Sequence, residues 1–464
     1  MTANLLQVRK MLSRKLKGLP ENLKIPMTIG AGSEKMNLSV KESVMVKPSK
    51  PTPTQRLWNS NLDLIVGRIH LLTIYFYRSN GSSNFFDSVV LKQALSDVLC
   101  SFYPMAGRLG SDGDGRVEID CNGKGVLFVE AEADFTIDDF GEITPSPELR
   151  RLAPTVDYSG DISSYPLFIT QVTRFKCGGV SLGCGVHHTL SDGFSSLHFI
   201  NTWSDIARGL SIKIPPFNDR TLLRARDPPT PMFDHIEYHP PPLLITRAEN
   251  HKPTPSTTIL RLTLNQINDL KSKGKGDGSV YHSTFVILAA HLWRCACKAR
   301  GLPEDQPTKL YVATDGRSRL NPPLPPGYLG NVVFTATPVA KSGEFKSESL
   351  ADTARRIRNK LSRMDDQYMR SAIDYLELQP DLSALIRGPT YFASPNLNVN
   401  SWTRLPLYES DFGWGRPIFM GPAIILYEGT IYIIPDPSDD GALKLAVCLD
   451  SDHLSIFKKY LYES

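Results

Sequence analysis

The prolines between residues 211 and 258 constrain the fold of this 464-residue chain more than any other feature. They cluster in the stretches IPPFNDR, RDPPTPMF, YHPPPLL and HKPTPST. Because proline fixes φ and lacks a backbone N–H, this segment can form neither helix interiors nor central strands. The chain is also too long for one ordinary hydrophobic core. We therefore predict two domains, at residues 36–212 and 259–464, joined by an extended crossover at 213–258.

Strand and helix patterns alternate on both sides of the crossover, which indicates an α/β protein with mixed β-sheets. RIHLLTIYFYR is typical of a strand, and FDSVVLKQALSDVLCSF has the apolar spacing of a helix. GRVEID and GVLFVEAEA predict the two strands of a hairpin, and YPLFITQVTRFKCGGVSLGCGV predicts two more strands. A helix follows, with Ser191 or Asp192 near its cap. Beyond the crossover, STFVILAAHLWRCACKA predicts a helix, and ALKLAVCLD predicts a late strand.

The composition excludes several classes of protein. With 41% apolar and 22% charged residues and a net charge of +4, the chain is typical of a globular enzyme that does not bind nucleic acid. No apolar run reaches the roughly 18–20 residues that span a bilayer. The seven cysteines are scattered and form no CxxC pair. We expect reduced thiols, no metal site, and a monomeric protein of the cytoplasm.

The first 35 residues differ from the rest. MTANLLQVRKMLSRKLKG is basic and contains no acidic residue, as an organelle transit peptide does. The alternative is a disordered extension, because Met36 opens a segment that resembles an ordinary N-terminus. Plastid targeting is therefore the second expectation, after the cytoplasm.

One apparent catalytic motif is discounted. GVSLG at residues 179–183 matches GxSxG, which in serine hydrolases places the nucleophile on a sharp turn between a strand and a helix. Here small and apolar residues continue past Ser181, so we predict that Ser181 lies within a strand.

The stretch GVHHTLSDGF at residues 185–194 is a stronger candidate. A neutral imidazole at His188 can take a proton from an attacking alcohol or amine. Asp192 could orient His188 as in a catalytic triad. Alternatively, Asp192 could turn away and fix the loop through an arginine, with Gly193 permitting the turn. Alone, this pattern is more typical of a strand-end histidine and a helix-capping aspartate than of a catalytic base.

A second motif, DFGWG at residues 411–415, lies more than 200 residues later. HxxxDG and DFGWG in this order resemble the plant BAHD acyl-CoA-dependent acyltransferases. The resemblance covers residues 36–464. It extends to the hydroxycinnamoyl-CoA:shikimate/quinate transferases and their rosmarinate-forming relatives through stretches such as FYPMAGRL, FKCGGVSLG, HLWRCACKARGL and DGRSRLNPPLPPGYLGN.

The resemblance implies a two-domain fold like that of chloramphenicol acetyltransferase, with an active-site channel between the domains. It implies that His188 is the general base and that Asp192 pairs with an arginine of the second half, either Arg317 or Arg319. No acyl-enzyme is expected. The residues expected to support the site structurally are Asp192, Gly193, Arg317, Arg319, Asp411, Gly413, Trp414 and Gly415.

The resemblance also implies an acceptor site. Arg387 matches the arginine that binds an acceptor carboxylate, a task suited to the guanidinium fork. Trp402 matches a tryptophan near the reacting centre, whereas Asn400 stands where the subfamily has threonine. Thr73 and Tyr75 lie in the strand that contributes to acceptor binding, and this strand departs from the subfamily by carrying two leucines before Thr73.

Coenzyme A is expected as part of an acyl-CoA co-substrate, with no bound cofactor. The candidate contacts for its phosphates are Lys271, Lys273, Ser283 and Thr284. Basic side chains and the amide donors of a helix N-terminus both suit phosphate.

The expected reaction is transfer of p-coumaroyl or caffeoyl from coenzyme A to the hydroxyl of shikimate or quinate. Hydroxyphenyllactate is an alternative acceptor, and so is a polyamine, although Arg387 would repel a cation. Two other classes remain open, a serine hydrolase acting through Ser181 and a non-catalytic binding protein.

Overall fold

Three β-sheets organise the part of the chain that the computed structural model describes, residues 36–245, 254–276, 281–438 and 440–463. The predicted transit peptide or disordered extension at residues 1–35 lies outside these residues. The strands are β1 (Leu38–Val46), β2 (Arg56–Trp58), β3 (His70–Tyr77), β4 (Arg108–Ser111), β5 (Val117–Asp120), β6 (Val126–Ala133), β7 (Phe168–Arg174), β8 (Val180–His187), β9 (Pro255–Leu262), β10 (Pro307–Asp315), β11 (Val333–Ala336), β12 (Val339–Lys341), β13 (Leu397–Ser401), β14 (Phe419–Pro422), β15 (Thr430–Pro435) and β16 (Leu443–Asp450).

The helices cover the sheets and join them. They are α1 (Asn61–Leu64), α2 (Ser88–Ser101), α3 (Pro147–Arg150), α4 (Gly193–Ala207), α5 (Leu264–Lys273), α6 (Thr284–Ala299), α7 (Glu344–Ser347), α8 (Leu350–Leu361), α9 (Asp366–Glu377), α10 (Pro389–Phe392) and α11 (Ser451–Tyr462). Short 3₁₀ helices span Tyr103–Ala106, Ile137–Phe140, Arg220–Leu223 and Leu382–Leu385.

The first sheet has six strands in the order β1-β6-β7-β8-β3-β14. Only β6 and β7 run parallel. Five strands come from the chain before the proline-rich segment, but β14 comes from the second half and pairs antiparallel with β3. The second half of the chain therefore completes the sheet of the first half.

The second sheet has seven strands, all from beyond residue 254. Six form the path β11-β10-β13-β15-β16-β9, and β12 pairs with β10. The pairs β10–β13 and β13–β15 are parallel, and the others are antiparallel. Both large sheets are therefore mixed. The domain bounds remain a prediction, because residues 37–464 form one compact unit.

The predicted hairpin is wrong. β5 pairs with β2 and β4 in a separate three-stranded sheet, while β6 pairs with β1 and β7 in the six-stranded sheet. The sequence of the loop between them is typical of a tight turn because it contains two glycines. Gly123 and Gly125 adopt positive φ angles of 63° and 95°. At Gly125 a Cβ would lie 2.5 Å from the carbonyl oxygen of Val46, so this glycine allows the chain to pass close to β1.

A single hydrophobic core joins the two large sheets. It contains Leu182, Cys184 and Val186 from β8, and Ile434 and Ala446 from β15 and β16. Because alternate residues of a strand share a face, this core identifies the faces of the sheets that approach each other. The candidate catalytic residues are found on these faces.

Candidate active site

His188 lies immediately after β8, where the strand ladder ends. Its N–H donates to the carbonyl of Ile69 at 2.9 Å, next to the pair formed by His70 and His187. Residues 181–187 and 189–190 are buried, whereas the side chain of His188 remains partly accessible. His187 is fully buried, and its ring lies 5.3 Å from that of His70. Of the two adjacent histidines, His188 is therefore the one that can reach a substrate.

The surroundings of His188 favour a neutral imidazole. Burial lowers the pKa of His188, and the negative charge of Asp192 and the backbone of Ser191 oppose that shift in part. Within the described residues no side chain accepts a hydrogen bond from its Nδ1 atom. His188 is thus available as a proton acceptor without belonging to a triad.

Asp192 turns away from His188 and joins the two halves of the chain. Its carboxylate accepts two hydrogen bonds from Arg317, at 2.8 and 3.0 Å, and one each from the backbone N–H groups of Ser195 and Val332. Burial would raise the pKa of Asp192, but the Arg317 guanidinium outweighs it and the pKa is lowered. Asp192 also caps α4. Its carboxylate is therefore fully engaged in structural contacts.

Of the two candidate partner arginines, the structure pairs Asp192 with Arg317. Arg319 is exposed and donates instead to the carbonyls of Leu361 and Met364. Gly193 begins α4 with an ordinary φ, and a Cβ there would make only van der Waals contact, at 3.8 Å from Leu405. The expectation that Gly193 is needed for the turn is therefore not supported.

Strand pairing sets which residues share the face of His188. On β3, Leu71 pairs with Val186, Thr73 with Cys184 and Tyr75 with Leu182. Leu71 is 37% exposed, whereas Tyr75 is fully buried in the core between the sheets. The predicted contact of Thr73 and Tyr75 with an acceptor stays a prediction, and Tyr75 has no accessible surface in this structure.

The second sheet presents Asn400 and Trp402 on the opposing side. Asn400 pairs with Tyr432 of β15, and Trp402, just past β13, packs its ring 4.9 Å from that of Tyr432. Both predicted residues are half-buried. The loop after Trp402 reaches the His188 segment, since Leu405 lies beside Gly193. The two predicted halves of the site therefore meet between the sheets.

Arg387 lies over the same face of the second sheet. Its Nη1 donates to Thr335 Oγ1 at 2.8 Å, and its guanidinium lies over the rings of Tyr311 and Tyr391, 5.5 and 5.2 Å from their centroids. Thr335 of β11 pairs with Ala313 of β10. The pair of Val312 with Val399, extended by one residue, places Asn400 of β13 beside Ala313. Two strand spacings separate Thr335 from Asn400, or about 10 Å.

Arg387 forms no ion pair with any side chain in the described part of the molecule, and its side chain is only half-exposed. Its terminal nitrogens donate to Thr335 Oγ1 and, at 3.5 Å, to the backbone carbonyl of Glu237. A partly buried guanidinium without a carboxylate partner is a suitable binding group for an anionic ligand.

The candidate coenzyme A contacts fall into two places. Lys271 and Thr284 line a cavity of about 260 Å³ together with Ser401 and Thr403, the residues on either side of Trp402. Lys273 lines a different cavity, of about 370 Å³, with Arg294 and Lys298. Ser283 caps α6 by accepting a hydrogen bond from Val286 N–H. Lys271 and Thr284 therefore line a cavity on the face of β13 that carries Ser401, opposite the face that carries Asn400, and Lys273 lines another cavity. Their contact with coenzyme A stays a prediction.

The DFGWG loop lies at the other end of β3. Asp411 Oδ1 accepts from Gly413 and Gly415 N–H at 2.8 and 3.0 Å, and these glycines have φ of 102° and 111°. The Trp414 ring packs 5.2 Å from that of Phe86. Eight residues of β-strand separate this end from the His188 end, about 27 Å. The loop packs against Phe86 and does not touch His188, so its role is structural.

Ser181 is a strand residue, as predicted. It lies inside β8, fully buried, with no strand–turn–helix elbow around it. The glycines of the motif have another cause. A Cβ at Gly179 would lie 2.5 Å from Ile137 Cδ1, and one at Gly183 would lie 2.0 Å from the carbonyl oxygen of Leu152.

Thr335 and Tyr311 were not identified from the sequence. Neither belongs to a recognisable motif, and their association with Arg387 depends on the register between β10 and β11.

Within the described residues no group of histidine, cysteine, aspartate or glutamate side chains is arranged to hold a metal ion. No described helix is both long enough and apolar enough to cross a membrane.

Comparison with known proteins identifies the family. Residues 36–464 match the model of the transferase family. The chain is 58% identical to shikimate O-hydroxycinnamoyltransferase of Nicotiana tabacum over 92% of its length and 100% of that protein. It is 50% identical to rosmarinate synthase of Plectranthus scutellarioides, with the same shares of both chains covered.

A solved structure supports the fold. The crystal structure of vinorine synthase superposes with a TM-score of 0.70 at 22% sequence identity, covering 90% of this chain and 96% of that one. The predicted fold class, an α/β acyltransferase fold with mixed sheets, is confirmed. The chain belongs to the transferase family, as one of the BAHD acyltransferases that its two motifs resemble.

Proposed function

We propose that this enzyme transfers a hydroxycinnamoyl group, p-coumaroyl or caffeoyl, from coenzyme A to a hydroxyl of a carboxylate-bearing acceptor. Shikimate and quinate are the preferred acceptors. The observation that carries the proposal is the presence of two groups. One is a partly accessible base at His188 with a lowered pKa, and the other is the guanidinium of Arg387, which lies over the facing sheet and has no carboxylate partner among the described residues. The 58% identity to shikimate O-hydroxycinnamoyltransferase supports the same substrates.

The proposed mechanism is direct attack. His188 takes the proton of the acceptor hydroxyl while the hydroxyl oxygen forms a bond to the thioester carbonyl carbon. Trp402 Nε1–H and the Asn400 amide donate toward the negative oxygen of the tetrahedral intermediate. As that intermediate collapses, the C–S bond breaks and the coenzyme A thiolate receives the proton from His188. The ester and the free thiol leave, and the base is neutral again.

Arg387 gives the acceptor its chemical class. A guanidinium held by Thr335 and by two tyrosine rings can bind a carboxylate through two parallel hydrogen bonds. A polyamine would bring a cation to this positive group, which disfavours that alternative. Hydroxyphenyllactate remains the second acceptor, favoured by the apolar, accessible Leu71 and by the identity of 50% to rosmarinate synthase.

Lys271 and Thr284, which line one cavity with Ser401 and Thr403, are the proposed contacts of the coenzyme A phosphates. Acyl-CoA is then a co-substrate, and no resident cofactor takes part. We further propose that the enzyme acts as a cytoplasmic monomer, with domains at residues 36–212 and 259–464.

The test is thiol release from p-coumaroyl-CoA with shikimate, quinate and 4-hydroxyphenyllactate in parallel. We expect turnover with shikimate or quinate, and its loss in His188→Ala. Ser181→Ala is the matched control, because Ser181 lies on the same strand and faces away from His188. Loss of activity in Ser181→Ala with a trapped acyl-enzyme would replace this proposal by the serine hydrolase. Saturable binding without turnover of any acceptor would favour the binding protein.

A second variant tests the acceptor site. Arg387→Gln keeps a donor but removes the charge, so the KM for the acid acceptor should rise about 100-fold or more, as expected for a lost charge-assisted pair. The KM for p-coumaroyl-CoA should change little. An equal rise in both KM values would contradict the assignment of Arg387 to the acceptor.

A further inference from the structure

Three consecutive backbone carbonyls follow β8 in the loop that carries His188, and side chains from distant segments bind all three. The carbonyl of His188 accepts from Asn331 Nδ2 at 2.8 Å. The carbonyls of Thr189 and Leu190 accept from the two terminal nitrogens of Arg220, at 3.3 Å for Thr189. Asn331 and Arg220 therefore fix the carbonyl side of the loop.

Asp63 connects these two side chains. Its Oδ1 accepts from the backbone N–H and the amide group of Asn331, at 2.7 and 2.9 Å. Its Oδ2 lies 3.4 Å from Arg220 Nη1 and accepts from the N–H and hydroxyl of Ser60 at 2.9 and 2.7 Å. The side chains of Asp63 and Arg220 are 0% and 1% exposed. The three residues form one buried network, which we call the loop clamp. Arg220 Nη1 also donates to Asn59 Oδ1 at 2.7 Å.

The loop clamp joins three parts of the chain. Asp63 belongs to α1, Arg220 to a 3₁₀ helix in the proline-rich segment, and Asn331 to the segment before β11. A buried ion pair adds little stability compared with well-packed apolar residues, because both charges lose their hydration. Arg220 and Asn331 bind the carbonyls of residues 188–190, so the network can instead hold the catalytic loop in position.

We propose that Asp63, Arg220 and Asn331 are positioning residues that hold the main chain of residues 188–190 so that His188 meets the acceptor hydroxyl. This inference rests on the proposed function. General-base catalysis depends on geometry, and a displacement of about 1 Å in a reacting group costs roughly 100-fold in rate. The proline-rich segment is then part of the catalytic apparatus through Arg220, besides connecting the two halves.

The clamp also contributes to the electrostatics of the base. The negative charge of Asp63 raises the pKa of His188 and so opposes the effect of burial. The other charged groups next to the loop are Arg220, which binds the carbonyls of Thr189 and Leu190, and Asp192 with its partner Arg317. Burial lowers the pKa of the preceding His187. Removing the charge of Asp63 should therefore lower the pKa of the base further.

The first experiment compares Asn331→Ala and Asp63→Asn with the wild type. For Asn331→Ala we expect kcat to fall by about 10- to 100-fold, with the KM values for p-coumaroyl-CoA and the acceptor within about 3-fold. For Asp63→Asn we expect a similar loss in kcat. In the pH profile of kcat/KM, the midpoint of the acid limb should move to a lower pH. Arg220→Lys should recover part of the activity lost in Arg220→Ala, because the charge remains while the fork is lost.

The matched control is Glu428→Gln. Glu428 forms a buried ion pair with Arg300 at 2.7 Å, with side chains 8% and 1% exposed, far from the His188 loop in sequence. It should destabilise the fold as the clamp variants do, without moving the acid limb. If the clamp variants lose activity only in proportion to their loss of folded protein, as Glu428→Gln does, the proposal is overturned.

Hydrogen–deuterium exchange of the peptide that contains residues 185–193 gives a readout independent of catalysis. Exchange in this peptide should increase in Asn331→Ala and Asp63→Asn and stay at the wild-type level in Glu428→Gln. Faster exchange in an enzyme without transferase activity would leave the clamp standing and reject the proposed function. Unchanged exchange in the clamp variants would reject the clamp, whatever the activity.

Discussion

At the scale of single residues, burial decides what each titratable group near the loop does. His188 keeps an accessible edge and a lowered pKa, whereas the adjacent His187 is sealed into the sheet. Asp192 lies four residues further on, and both oxygens of its carboxylate accept hydrogen bonds from Arg317 and two backbone N–H groups. Chemically similar neighbours therefore receive different roles from their surroundings alone.

The lowered pKa of His188 predicts the pH dependence of catalysis. The base must be neutral to accept a proton, and it becomes charged only when the pH falls below its pKa. The acid limb of kcat/KM should therefore have its midpoint below about 6.5, the ordinary value for histidine. A pH–rate profile with p-coumaroyl-CoA measures it. A midpoint at or above 7 would show that His188 is not the base, or that its burial is relieved in solution.

Arg317 and Arg319 provide a matched pair. Arg317→Ala leaves the buried carboxylate of Asp192 without its counterion, which should cost about 3–5 kcal/mol of unfolding free energy and most of the activity. Arg319→Ala removes only bonds from an exposed side chain to two carbonyls and should cost about 1 kcal/mol or less. Urea unfolding of both variants makes the comparison. Equal losses would contradict the pairing.

At the scale of elements, strand β8 shows how a sequence motif can have a packing cause. The glycines of GVSLG resemble a nucleophile elbow, yet a neighbouring segment lies close to each. The backbone oxygen of Leu152 leaves no room for a Cβ at Gly183, and the side chain of Ile137 would have to move for a Cβ at Gly179. Their spacing follows from the contacts of β8 with Ile137 on one side and Leu152 on the other. Pattern matching sees the glycines but not the neighbours that require them.

Gly183→Ala tests this cause. Its Cβ would lie 2.0 Å from the backbone oxygen of Leu152, which cannot move without shifting the segment, so we expect a loss of several kcal/mol or no folded protein. Gly110→Ala in β4 is the control, since its Cβ would lie 3.9 Å from that of Asp120. Denaturation midpoints of the two variants decide. A Gly183→Ala protein as stable as Gly110→Ala would refute the packing argument.

Elements with strong local patterns were predicted well, and pairing was not. The helices and strands around His188 begin and end within a few residues of the predicted positions, because periodicity and a cap such as Asp192 are local signals. The hairpin of β5 and β6 was wrong because two adjacent strands can enter different sheets. The insertion of β14 into the first sheet has no local signal at all.

At the scale of the whole molecule, buried histidines couple folding to pH. His70 is 5% exposed, and burial is the main cause that lowers its pKa to about 4. Its Nε2–H donates to the carbonyl of Pro166, and its Nδ1 accepts from the hydroxyl of Tyr158. Between pH 6.5 and 4 the unfolded chain binds a proton that the folded chain does not. The free energy of unfolding therefore falls as the pH falls through this window, and it does not change with this group above 6.5.

The size of this effect for His70 is about 3 kcal/mol, since one pKa unit corresponds to about 1.4 kcal/mol. Urea unfolding at pH 7 and pH 4.5 measures it in the wild type and in His70→Gln. The variant should lose part of the pH dependence, whereas His239→Gln, with a side chain 45% exposed, should keep it. Identical pH dependence in the wild type and both variants would contradict the assignment.

From the sequence alone, periodicity determined the α/β class, and the HxxxDG pattern made His188 a candidate, because both are properties of nearby residues. The resemblance to a known family supplied the family itself and the candidates Trp402 and Arg387. Tertiary structure decided that Arg317 rather than Arg319 meets Asp192, that Lys271 and Lys273 face different cavities, and that Asp63, Arg220 and Asn331 close on the catalytic loop. The contacts of Arg317 with Asp192 and of Asn331 with His188 join residues 125 and 143 positions apart, and the contact of Arg220 with Thr189 spans 31 positions. Their geometry follows from strand register and packing between the sheets, which local sequence patterns do not encode.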